Sequence, residues 1–152
     1  MLASRIAPMP EKLVNHSPVV AQGLIYIVGG RDQEKSKRSI LCYDPFQGDY
    51  ENKDLEEWTR LSYRKLKCEL TLARDMASTL ATNDGILVFG GFVDEEKSKV
   101  GREKKERVRL LSNLIELIDF RNEEVYEVDV QGEVPDIMAL CTPFCVKNKD
   151  FM

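Results

Sequence analysis

Self-similarity within the chain constrains the fold more than any other feature of its 152 residues. The segment SPVVAQGLIYIVGG, from Ser17 to Gly30, aligns without gaps on STLATNDGILVFGG, from Ser78 to Gly91, 61 positions further on. Each copy runs from a serine through apolar residues to a polar turn, then through a second apolar run closed by Gly-Gly. A third copy opens near the end, where MPEKLVNHSPVVAQGLIYI from Met9 aligns with VPDIMALCTPFCVKNKDFM from Val134. This register places Pro10 on Pro135, Ser17 on Thr142 and Pro18 on Pro143. A repeat of this period identifies supersecondary units too small to bury their own faces, so consecutive units must cover one another.

The stretches between copies are also alike. After Gly29 and Gly30 come a charged stretch, SILCYDP (Ser39 to Pro45), a polar loop and EWTRLS (Glu57 to Ser62). After Gly90 and Gly91 come a charged stretch, NLIELIDF (Asn113 to Phe120), a short loop and EEVYEVDV (Glu123 to Val130). Each unit is therefore expected to hold four short strands. The first ends near residue 21 or 82, the second runs into Gly-Gly, the third precedes Asp-Pro or Asp-Phe, and the fourth surrounds Trp58 or Tyr126. Val125, Glu127 and Asp129 alternate with Tyr126, Val128 and Val130, the period of a half-buried strand. The second strand is apolar throughout, as a strand covered on both faces is.

Four-stranded units in series are the sequence form of β-propeller blades. GLIYIVGG, then CYDP, then Trp58, followed by a second ILVFGG, resembles the kelch repeat, marked by an apolar stretch ending in a double glycine and then a spaced Tyr and Trp. The first unit carries Gly29, Gly30, Tyr43 and Trp58. The second carries Gly90 and Gly91, with Ile118 at the place of Tyr43 and Tyr126 near that of Trp58. The resemblance implies an all-β fold: a partial kelch-like β-propeller with two four-stranded antiparallel blades and the opening strands of a third. The divisions are a lead-in over 1–8, blade 1 over 9–67, blade 2 over 68–133 with a charged insertion at 92–112, and a truncated blade 3 over 134–152. Tyr43 and Trp58 are expected to pack between blades. The glycines are expected to make sharp turns at φ > 0 and to let neighbouring blades approach. Neither GGRDQEK nor GGFVDEE has the spacing of a phosphate-binding glycine loop.

Propellers close with about 4–8 blades. On the third register the chain stops inside that unit's second strand. The expectation is a fragment or truncated product; a half propeller completed by another copy or chain, and a different use of the last residues, remain open. An isolated monomer with half-covered sheets is expected to be marginally stable.

Charge is sorted along the chain although the total is close to balanced, 22 Lys and Arg against 26 Asp and Glu for a net −4. That balance argues against dedicated nucleic-acid binding. In an up-and-down blade, the loops after the second and fourth strands share a rim. Those loops hold Arg31, Lys35, Lys37 and Arg38 in the first unit, with YRKLKCE (Tyr63 to Glu69) after its fourth strand. The second unit contributes Lys97, Lys99, Arg102, Lys104, Lys105, Arg107 and Arg109. The opposite rim receives the acidic run Phe46 to Glu57. A basic rim steers an acidic protein partner; plain solvated insertions are the competing interpretation. Val108, Leu111, Leu114, Ile115 and Ile118 also fit an amphipathic helix over 104–117, whereas the repeat register makes 113–119 a strand, with a helical turn or two before it.

No catalytic set emerges. One histidine, His16, is a poor basis for a nucleophile–base pair or a metal site, and no zinc-protease or nucleophile-elbow motif occurs. Cys42, Cys68, Cys141 and Cys145 match neither a disulfide scaffold nor a zinc site and are expected to be reduced. No apolar run is long enough to span a bilayer, and the N-terminus lacks a secretory signal's apolar core. A cytoplasmic, non-catalytic protein-interaction module or scaffold without a cofactor is the expected function. The alternative is a fragment or subunit of a kelch-type propeller enzyme or ubiquitin-ligase substrate adaptor.

Overall fold

Three antiparallel sheets organise the protein, in a computed structural model that describes residues 6–46, 54–98 and 105–129. Lys97, Ser98, Lys105 and Glu106 are described by their backbone alone. The third-unit expectation over 134–152, with Cys141 and Cys145, lies outside the described residues.

The first sheet is a simple meander of β1 (Ser17–Ala21), β2 (Leu24–Val28), β3 (Ile40–Tyr43) and β4 (Tyr63–Lys65). Between β3 and β4 lies α1 (Leu55–Ser62), the single helix among the described residues. The second sheet has β6 (Ser78–Ala81), β7 (Gly85–Phe89), β10 (Ile115–Asp119) and β11 (Glu124–Glu127) in the same order of pairing. Between β7 and β10 the chain forms a hairpin of β8 (Phe92–Ser98) and β9 (Lys105–Leu111). With the short β5 (Arg74–Asp75) it makes a third, three-stranded sheet.

The first two sheets are copies of one another down to single hydrogen bonds. Ser17 lies opposite Val28 as Ser78 lies opposite Phe89, and Ile25 faces Tyr43 as Ile86 faces Ile118. The Gly29 amide donates to Ser39 O and that of Gly90 to Leu114 O. The Lys37 amide donates to Gly30 O and that of Ser112 to Gly91 O. Asn15 and Met76, which precede the two first strands, both have positive φ. The spacing between equivalents is 61 residues up to the glycines (Ile25 to Ile86), 75 through the third strand (Tyr43 to Ile118) and 62 at the fourth (Arg64 to Tyr126), so the hairpin is an insertion in the second copy and the β3–β4 connection is longer in the first.

Stacking uses opposite faces of the two copies. Tyr26, Val28, Ile40 and Cys42 of the first sheet form one core with Ile86, Val88 and Ile118 of the second. Tyr26 stacks on Phe120 with ring centroids 5.2 Å apart. The first-sheet equivalents of Ile86, Val88 and Ile118 are Ile25, Ile27 and Tyr43, and these lie in two clusters separate from that shared core. There they are covered by Ala7, Met9 and Leu13 of the N-terminal segment and by Trp58 of α1. The packing is therefore head to tail, the arrangement a serial repeat requires.

Two expectations are corrected. The fourth strand of the first unit does not surround Trp58, which sits on α1. Asp54 caps that helix by accepting from the Glu57 amide, Glu56 and Glu57 occupy its first turn, and Trp58 and Ser62 fall one turn apart on its buried side. Capping and this i, i+4 spacing override the strand reading of EWTRLS. Tyr63–Lys65, placed in a rim loop by the sequence, is instead the fourth strand, β4. Over its described residues, 92–98 and 105–112, the insertion is a paired hairpin rather than a helix or an unstructured loop, and residues 105–114 before β10 contain no helical turn. Its two arms pair in a register that sets Asp94 opposite Arg109, Glu96 opposite Arg107 and Lys97 opposite Glu106. Opposite charges facing one another across an antiparallel pair favour the hairpin over a helix.

Candidate interaction surface

The double glycines lie where the second strands leave their sheets, and all four have positive φ: 60° at Gly29, 100° at Gly30, 56° at Gly90 and 86° at Gly91. A side chain at Gly29 would stand 2.5 Å from the carbonyl oxygen of Arg74, and one at Gly91 would stand 2.7 Å from that of Asp75. β5 is threaded between the two glycine pairs: Gly30 N donates to Arg74 O, and Arg74 Nη1 donates to Gly90 O, each at 3.0 Å. The connection between the two units is thus clamped by the glycine turns of both.

Tyr43 and Trp58 are buried together with Ala7, and Tyr43 stacks on Tyr63 at 4.8 Å. The pair lies on the side of the first sheet that the N-terminal segment covers. Tyr126 does not correspond to Trp58. It pairs with Leu117 as Arg64 pairs with Cys42, and it is 41% exposed with its hydroxyl on Glu124. The expected equivalence therefore shifts to Arg64, because α1 removes Trp58 from the ladder.

The structure brings the two glycine-following segments of the basic rim together. Arg31 grips Asp94 of β8 through both carboxylate oxygens at 2.9 and 2.8 Å, and the Ser36 amide donates to the same carboxylate at 3.0 Å. Ser36 Oγ donates to the buried Asp75, which also takes a hydrogen bond from Arg109. Arg109 in turn lies over the Phe92 ring at 4.7 Å, and Arg107 donates to Glu34 O at 2.7 Å. Burial raises the pKa of the Asp94 carboxyl, but the Ser36 amide and Arg31 outweigh it and leave it below its ordinary value. The bond to Asp94 raises Arg31 in turn. Lys37 pairs with Asp32, holding that carboxyl below its usual range.

The cations proposed from sequence therefore divide. Arg31, Lys37, Arg107 and Arg109 are engaged within the chain. Lys35 is exposed, and Arg38 donates Nε to Leu70 O. Lys97 and Lys105 belong to β8 and β9. Lys99, Arg102 and Lys104 lie outside the described residues, as does most of the acidic run on the opposite rim. Sequence reasoning missed the residues that organise this surface: Ser36, Arg74, Asp75, Asp94 and Glu116. One signal was present, since the repeat alignment sets Arg74 on Leu13, a charge at a position where the first copy is apolar.

Cys42 and Cys68 are free thiols, and burial raises the pKa of both. Burial also pushes the Tyr26 hydroxyl up to about 12. Among the described residues there is no group of three or more His, Cys, Asp or Glu side chains placed to hold a metal ion, and no helix is long and apolar enough to cross a membrane.

Residues 12–45 match the Kelch motif family, a span that contains β1 to β3, Gly29, Gly30 and Tyr43. The chain thus carries a kelch motif, in agreement with the resemblance drawn from its repeats. No curated protein matches the chain.

Proposed function

We propose that this kelch-motif chain is a non-catalytic protein-interaction module whose working surface is the rim carrying the β2–β3 loop and the β8–β9 hairpin. Kelch motifs are of a type that serves protein interaction, and the fold is a stack of antiparallel sheets suited to that task. The observation that carries the proposal is the Arg31–Asp94 clamp. It joins a loop of the first unit to an insertion found only in the second, making one rigid surface from two repeats. Binding residues are most effective when presented on such preorganised elements.

In this reading the two units are consecutive blades of a propeller, with the divisions near residues 67 and 133 suggested by the repeat. Head-to-tail stacking supports it, because the outward face of the second sheet is equivalent to the face that the first sheet buries. Residues after 133, or another copy or chain, would continue the stack. The partner would be a protein with acidic character, met in the cytoplasm. Affinity capture tests the reading: residues 97–105 are exchanged for a two-residue turn that preserves Asp94, Arg107 and Arg109. The variant is expected to lose partners that the parent chain retains. Retention of every partner would remove the hairpin from the surface.

A further inference from the structure

We infer that residues 134–146, which lie outside the described residues, cover the outer face of the second sheet with Cys141 and Cys145 turned onto it. The inference rests on the reading of the two units as consecutive members of a stack, and it names the occupant of the stack's open side. The first sheet meets the second through Val19, Tyr26, Val28, Ile40 and Cys42, and Leu66 joins them from just past β4. The same positions in the second sheet are Leu80, Leu87, Phe89, Ile115 and Leu117. Val128 stands for Leu66, since its amide donates to Ile115 O as that of Leu66 donates to Ile40 O. All six are apolar, yet none belongs to an apolar cluster formed among the described residues. A continuous apolar face of this kind marks a surface that something covers.

Burial points to a cover from the same chain. Ile115 is only 8% exposed, and Leu80, Leu87, Phe89 and Leu117 are half-buried, all within a single copy of the protein. A second copy is not needed to account for that burial.

The repeat identifies the segment. Over the first sheet, part of the cover comes from the stretch leading into and through β6: Leu70 is buried in the shared core, and Ala77 and Ala81 pack against it. Residues 134–146 align with 70–82, setting Val134 on Leu70, Cys141 on Ala77 and Cys145 on Ala81. Each covering position thus receives a side chain that buries readily, free cysteine included. The one charge in the segment, Asp136, falls on Leu72, which is exposed. The likeness lapses after 146, where Asp150 falls on the buried Ile86, so the cover is assigned to this segment alone. Exposure at the place of Cys145 depends on whether a sheet lies beneath it. Ala81 packs on the first sheet, while its first-unit equivalent, Val20, is 66% exposed.

Alkylation by N-ethylmaleimide, followed by mass spectrometry of each cysteine, tests this in the full chain, native and urea-unfolded at one pH. Cys145 is expected to react about tenfold or more slowly in the native chain, the protection of a group reached only through local opening. Val134→Asp places a charge under the segment and leaves the described sheets untouched; Leu87→Lys places one on the sheet. Each is expected to speed native Cys145 by about tenfold or more, while Cys42, buried between the two units, keeps its rate. If Leu87→Lys speeds Cys42 as well, that variant has lost its fold and Val134→Asp decides. Equal rates for Cys145 in native and unfolded chain overturn the inference. So does slow labelling that Val134→Asp leaves unchanged, or that quickens on dilution, which identifies a second copy as the cover. In the parent chain, slow Cys42 beside fast Cys145 leaves the two-unit stack standing with its outer face open. Fast Cys42 shows that the units do not stack and removes both readings. Hairpin-dependent capture of partners is read separately and depends on none of these rates.

Discussion

Arg74 and Glu116 form an ion pair with no exposed side-chain surface, at positions that the first unit fills with Leu13 and Leu41 in contact. The equivalence follows from the register, in which Glu116 faces Val88 as Leu41 faces Ile27. One copy of the fold thus solves this contact with apolar packing and the other with charge. Arg74 also donates to the carbonyls of Gly90 and Leu114, and Glu116 accepts from the Thr71 amide at 2.6 Å. Burial lowers the pKa of Arg74, and the Glu116 charge opposes that effect.

Removing one partner strands the other in the core, so Glu116→Ala is expected to cost about 3–5 kcal/mol. The double change Arg74→Leu with Glu116→Leu reproduces the first unit's solution and is expected to recover most of that loss. Urea unfolding of the parent, single and double variants measures both. A double variant as unstable as the single would show that the bonds from Arg74 to Gly90 O and Leu114 O matter more than the pair.

The glycine turns separate conformational strain from close approach. Gly23 has φ 77° and nothing within 4 Å of where a Cβ would stand, whereas Gly29 has φ 60° and the Arg74 carbonyl oxygen 2.5 Å from that point. Gly23→Ala is expected to cost about 1 kcal/mol, the strain of a left-handed alanine. Gly29→Ala adds a backbone collision and is expected to cost at least about 2 kcal/mol more. Equal losses in thermal unfolding would show that β5 is not held where the turn meets it.

These contrasts also mark what the sequence conveys. Repeat spacing, alternation and Gly-Gly are local signals, and they locate seven of the eight strands in the two four-stranded sheets. The exception, β4, was hidden because Trp58 resembles a strand residue in the repeat while Asp54 and the Trp58–Ser62 spacing direct a helix. The hairpin was legible only through pairing of Asp94 with Arg109 and Glu96 with Arg107, a relation between residues that a linear count of charge does not display. Likewise, the basic residues were visible, but their engagement was not. Arg31, Arg107 and Arg109 are committed to groups that lie far off in sequence and are brought near only by the stacking of two units.

Acid should loosen the rim before neutral pH affects it. Asp94 and Asp32, both on this rim, have folded-state pKa values below their ordinary ones. The unfolded chain, with carboxyls near about 4, then binds more protons as the medium acidifies. The stabilisation these groups give is complete above roughly pH 5 and is lost as pH falls through their folded-state values. Asp94→Asn is expected to flatten part of the decline in urea midpoint between about pH 5 and 3 while leaving a lower plateau at pH 7. An unchanged acid slope would show that the Arg31 clamp is not maintained in solution.

The reassignment of the two aromatic positions yields the sharpest stability contrast. Trp58 is 4% exposed and packs with Tyr43 and Ala7 on the covered side of the first sheet, whereas Tyr126 is 41% exposed on an edge strand of the second. Truncating a buried tryptophan removes its transfer energy and leaves a cavity, so Trp58→Ala is expected to cost about 3–5 kcal/mol. Tyr126→Ala is expected to stay within about 1 kcal/mol, as for other half-open surface positions. If Tyr126 instead served as the counterpart of Trp58, the two losses would be comparable. Urea unfolding followed by circular dichroism reads both variants, and Trp58 fluorescence in the Tyr126 variant reports whether the α1 packing persists. Large, similar losses would require something more than the described sheet to cover Tyr126.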